Sequence, residues 1–109
     1  MNAPRPAPAE ARPGPEMIEE HWAHRIEWDG VVNRDQIWAI EAALRSMVAE
    51  FPGLITNTRI LHQGALLTCL VDGNYNPKTL KRITRAVSEL GHDEALAPGN
   101  VRIIADRIP

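Results

Sequence analysis

Two helical stripes, set apart by segments of strand character, constrain this chain more than any other feature. Ile37, Ile40, Leu44, Met47, Val48 and Phe51 recur at spacings of three and four, as do Leu80, Ile83, Val87 and Leu90. Side chains spaced in this way share one face of an α-helix, so each stripe needs another layer to cover it. Asn33 precedes the first stripe, with Gln36 in the capping-box position, and Pro52-Gly53 closes it. Asn76-Pro77 opens the second, proline sitting where a missing N–H costs nothing. Gly91 follows its last apolar residue and reads as a C′ terminator.

Outside the stripes the period changes. Trp22, His24, Ile26 and Trp28 alternate with Ala23, Arg25 and Glu27, the pattern of a strand with one buried face, and Asp29-Gly30 ends it. Leu54–His62 and Ala65–Asp72 read as two strands of a hairpin turning at Gln63-Gly64. The second of these (ALLTCLV) is apolar on both faces, which places it inside a sheet. Residues 73–76 read as a turn-rich connection, 92–99 as a loop and Val101–Ile108 as a last strand. The order βαββαβ predicts an α/β (α+β) ferredoxin-like split βαβ sandwich. In it, both helices cover one face of a four-stranded antiparallel sheet of order 4-1-3-2. That domain spans 17–109. Ahead of it, residues 1–16 (MNAPRPAPAEARPGPE) carry prolines and nothing to bury, and are expected to form a disordered Pro/Ala-rich arm.

At 109 residues there is room for one core. A net charge of −2 supplies no broad positive field, which argues against nucleic acid as a partner. The third strand also lacks the aromatics that RNA stacking on a sheet needs. Cys69 is the only cysteine, so no intramolecular disulfide forms, as fits a reducing compartment. The chain has no apolar run long enough to span a membrane and no apolar leader, so the expected location is cytoplasmic, without a membrane partner.

Residues that carry chemistry are sparse. Gly-rich phosphate loops, GxSxG, HExxH and CxxC are all absent, so no cofactor is expected and the reading leans away from an enzyme. His21 and His24 have a helical ligand spacing, but on a strand residues three apart point to opposite faces, leaving them weak metal candidates. Cys69, among Leu67, Thr68, Leu70 and Val71, reads as a small core residue. Lys78, Lys81, Arg82 and Arg85 give the second helix a basic outer face, a candidate patch for an anion or an acidic partner. Surplus apolarity is more telling. The third and fourth strands carry Leu, Val and Ile on both faces, while two helices cover only one. Leu66, Leu70, Ile104 and Ile108 are therefore candidate partner-binding residues, together with Trp22 and Trp28, whose shared face either belongs to the core or anchors such an interface.

From Asn33 to Pro109 the chain resembles the cytosolic C-terminal domain of cation diffusion facilitators. There too a helix ends in Pro-Gly before a hairpin, a second helix and a final strand, as in FPGLITNTRILHQGALLTCLVDG. That family's metal-binding histidines include one in the last strand. This chain has Ala105-Asp106 in that strand and no histidine, so metal binding does not carry over. The Pro-Gly and hairpin are also similar to the small maturation chaperone of periplasmic nitrate reductase, which binds a signal peptide on its sheet. The leading expectation is a non-catalytic binding or accessory module that oligomerises, a dimer favoured, or docks a larger protein subunit through its open sheet face. A metal- or small-ligand-binding regulatory domain is the first alternative, and a small enzyme with its site at a subunit interface the second.

Overall fold

The computed structural model describes residues 18–30, 33–96 and 100–109; the expected arm, 1–16, lies outside the described residues. Six elements follow in the expected order: β1 (Glu20–Asp29), α1 (Arg34–Glu50), β2 (Ile55–Gln63), β3 (Leu66–Tyr75), α2 (Pro77–Gly91) and β4 (Asn100–Ile108). All strand pairs are antiparallel and the sheet order is β2-β3-β1-β4. This is the α+β, ferredoxin-like layout, with β1 and β3 central.

Local signals act as the sequence implies at both helix starts. Asn33 and Gln36 cap α1 reciprocally: Gln36 N–H donates to Asn33 Oδ1 at 2.8 Å and Asn33 N–H donates to Gln36 Oε1 at 3.3 Å. Asn76 Oδ1 accepts from Thr79 N–H at 2.8 Å, with Pro77 opening α2.

Three boundaries differ from expectation, the first for a local reason and the other two through close packing. The hairpin turns at Gly64-Ala65, one residue later, because Gln63 pairs with Leu66 and Gly64 takes the positive φ of 61° that a two-residue turn needs. β3 continues through Gly73, Asn74 and Tyr75, which sequence assigns to a turn. A Cβ at Gly73 would collide with the Tyr75 ring and the Leu54 carbonyl, so glycine here lets Tyr75 fold back over the strand. Gly91 is the last residue of α2 and not a cap; the cap is His92. A Cβ on Gly91 would lie 2.8 Å from Ile103 Cδ1 and 3.2 Å from Ile26 Cγ2, so its absence allows α2 to approach the sheet.

The core lies between the helices and the even-numbered side chains of β1. Ile26 and Trp28 meet Leu67, Cys69, Val71 and Tyr75 of β3, under Ile40, Leu44 and Met47 of α1 and Ile83, Val87 and Leu90 of α2. Phe51, at the end of α1, closes one end. The odd-numbered side chains of β1 point to the opposite face, which neither helix covers.

Candidate functional site: the uncovered sheet face

Strand pairing places the side chains of the open face in rows. Arg25 lies between Leu70 of β3 and Ile104 of β4, and Glu27 lies between Thr68 and Arg102. Ala23 lies between Asp72 and Asp106, and His21 between Asn74 and Ile108. β2 adds Arg59 beside Leu70 and Leu61 beside Thr68. Of the expected partner-binding residues, Leu66, Leu70, Ile104 and Ile108 therefore do share this face.

Charges on the face are largely matched within it. Glu27 accepts from Arg102 through Nε at 3.0 Å and Nη2 at 2.8 Å, and Arg25 Nε lies 3.3 Å from its other oxygen. His21 Nε2 is 3.8 Å from Asp72. Alternation of this kind is what a half-exposed strand requires. Arg102 stays largely in water while Glu27 is only 17% exposed between its two arginines, and the aliphatic groups beside them remain available.

The two tryptophans take the core side of their alternative, not the interface side. Trp22 and Trp28 lie on the helix side of β1, so neither contributes to the open face. Trp28 is 1% exposed, and its Nε1–H donates to the Gly91 carbonyl at 3.0 Å, tying β1 to the end of α2. Burial of the large ring with its one polar atom satisfied makes it a core residue. Trp22 packs against the same cluster.

His21 and His24 point to opposite faces, which removes the two-ligand reading. His24 is fully buried; its Nε2 and the Thr84 hydroxyl share a hydrogen bond of 3.0 Å. Burial without a charge partner pushes its pKa below the ordinary histidine value. It faces Val71 across the strands, while Cys69 faces Ile26, so His24 and Cys69 are not cross-strand partners. The Cys69 thiol is buried and pushed up to about 12 by desolvation, which keeps it protonated. Tyr75 is likewise pushed up to about 12, first by burial and then by the Asp72 charge. Its ring lies 6.3 Å from that of His24. The Tyr75 hydroxyl, His24 Nδ1 and Trp22 Nε1 are buried without hydrogen-bond partners. Among the described residues, no group of three or more His, Cys, Asp or Glu side chains is placed to hold a metal ion.

The basic residues of α2, Lys78, Lys81, Arg82 and Arg85, line one shallow groove of about 470 Å³ with Phe51, and the Arg82 guanidinium stacks 5.1 Å from the Phe51 ring centre. Glu50 and Glu89 line the same groove and dilute its charge. A larger groove, about 630 Å³, runs between α1 and β2, with Leu44, Val48 and Ile60 as its apolar lining and Glu41 and Arg45 as its charges; Arg59 borders it from β2. Trp38, 59% exposed on α1, also escaped the sequence reading. Its position off the apolar stripe was the available signal.

No known family model matches the chain, and no curated protein matches it. Among solved structures, an uncharacterized protein from Thermotoga maritima is similar in shape at 6% identity and a TM-score of 0.54, covering 84% of this chain and 99% of that one. The de novo designed protein Foldit4 superposes with a TM-score of 0.57 at 13% identity, covering 81% of this chain and 96% of the design. Likeness at such identities concerns the fold alone. Among the described residues, no helix is long and apolar enough to cross a membrane.

Proposed function

We propose that this chain is a non-catalytic module that works by self-association, with its sheet as the contact surface and a second copy of the chain as the occupant. The observation that carries the reading is the set of aliphatic side chains left on the uncovered face. Leu61, Leu66 and Ile108 are 42%, 38% and 38% exposed, with Leu70 and Ile104 half-buried between them. Burying such a side chain is worth roughly 1.5–3 kcal/mol relative to leaving it in water.

Charge speaks for the occupant. Arg25, Arg59 and Arg102 share the face with Glu27, Asp72 and Asp106. A face so balanced exerts little pull on a polyanion or a strongly charged partner. Mixed signs do suit a copy of the same surface, presented about a two-fold axis. The side chains with the most perturbed acidity, His24, Cys69 and Tyr75, line none of the grooves described above, which favours binding over catalysis.

Light scattering on the purified chain at micromolar concentration tests the reading. A mass twice that of the 12.1 kDa chain is expected, returning to one chain mass for Ile104→Asp. A wild-type protein that stays at 12.1 kDa overturns it.

A further inference from the structure

We infer that two copies meet edge to edge, β4 pairing antiparallel with β4 of the second copy in a register centred on Ile104. The inference rests on the self-association reading for its occupant, a second copy, but moves the contact from the open face to its β4 edge: edge pairing covers Ile104 and leaves Leu61, Leu66 and Leu70 open.

β4 is one of the two outer strands, bonded to β1 on one side only. Its nine residues pair with β1 in continuous register and contain no proline. Long flat edges of this kind offer a row of backbone donors and acceptors to another strand, and proteins usually blunt them with bulges, prolines or lysines. The opposite edge, β2, is interrupted by a register shift between Ile55 and Asn57. A β2–β2 pairing centred on Arg59 would also set two guanidinium groups against each other.

The sequence of β4 is self-complementary about Ile104. In an antiparallel pair with a two-fold axis through that residue, Ile104 meets Ile104, Arg102 meets Asp106, and Ile103 meets Ala105, with each unlike contact made twice. Arg102 and Asp106 both sit on the open face, so the opposed charges stand on the same side of the joined sheet. Moving the centre by one residue in either direction sets Arg102 or Asp106 against an isoleucine. Both charged partners have capacity to spare. Arg102 uses Nε and Nη2 on Glu27, leaving Nη1, and Asp106 has no ion-pair partner among the described residues. Cross-strand opposite charges favour a pairing and like charges disfavour it, so these pairs select one register and one partner, a second copy. The product is an eight-stranded sheet with all four helices on one side and the two open faces joined.

The test uses the full chain and charge reversals. Asp106→Arg sets the introduced guanidinium of each copy against Arg102 of the other, and Arg102→Asp sets two aspartates together. Each variant alone should raise the dimer dissociation constant by roughly 30-fold or more. An equimolar mixture should recover the dimer, because only the mixed pair places opposite charges at both contacts. If the wild type is a dimer and both variants, folded by circular dichroism, remain as tightly dimeric, the edge assignment falls while self-association stands. A wild-type monomer removes both. If Arg102→Asp fails to fold beside Glu27, Asp106→Arg is read alone. Hydrogen exchange then supplies the second measurement, with β4 amides protected more as wild-type concentration rises. Exchange in β4 that does not depend on concentration overturns the inference.

Discussion

The two faces of the sheet are built by the same strands and obey different rules. On the covered face of β1, His24, Ile26 and Trp28 are at most 1% exposed, and nearly every neighbour is aliphatic, aromatic or sulfur-bearing. On the uncovered face of the same strand, Ala23, Arg25 and Glu27 alternate with them, and Glu27 pairs with Arg25 along the strand and with Arg102 across to β4. The covered face tolerates polarity only where it is bonded or held neutral, as Trp28 and His24 show. Water stabilises charge on the other face, and the aliphatic groups there contribute little until something covers them. Substitutions should therefore have large effects on one face and small effects on the other.

The largest expected loss is at the centre of the covered face. Leu44→Ala, in the buried stripe of α1, should destabilise by about 2–5 kcal/mol in chemical denaturation, through lost burial and the cavity left behind. A near-neutral result would mean that the core does not close over the sheet at this helix.

Gly91→Ala comes next, at about 1–3 kcal/mol, because the added methyl must push aside Ile103 and Ile26. Gly91 is not among the glycines with positive φ, so alanine meets no backbone strain there and the measurement reads the close packing against Ile103 and Ile26.

Acid is a gentler probe of the same face. His24 has a folded-state pKa below its unfolded value near 6.5, because burial disfavours the imidazolium. The unfolded chain therefore binds the proton more readily. The stability held by neutral His24 is fully present above pH 6.5 and is lost as pH falls from there through the depressed folded value. Unfolding free energy followed against pH should show this loss in the wild type and not in His24→Leu. An unchanged profile in the variant would place the acid sensitivity elsewhere.

On the uncovered face, Leu66→Ser should change the stability of the monomer by no more than about 0.5 kcal/mol, since Leu66 is already exposed. A loss comparable to that of Leu44→Ala would erase the difference between the faces.

Much of this architecture was legible beforehand, and the reasons differ element by element. Both helix caps were readable because Asn33 with Gln36 and Asn76 with Pro77 act within one turn of chain. Which residues of β1 share a face was readable because its alternation is strict. What Gly73 and Gly91 do was not, since a glycine looks the same in a turn as beneath a packed ring or an isoleucine. Trp22 and Trp28 could be assigned to a shared face, but not to the side on which the helices lie. The groove between α1 and β2 had no sequence signal, as its lining joins two elements whose residues show no common pattern.

By itself the sequence determined the six elements, their order and the one-sided alternation of β1, because periodicity and capping depend on residues a few positions apart. Tertiary structure decided which side the helices took, where β3 ended and which edges were left open. Those outcomes depend on residues far apart in the chain: Trp28 reaches the carbonyl of Gly91 across 63 positions, and Arg102 reaches Glu27 across 75. No local pattern encodes such a meeting; it arises when the layers close, burying the tryptophan with its N–H bonded and leaving the Arg102 end of the ion pair in water.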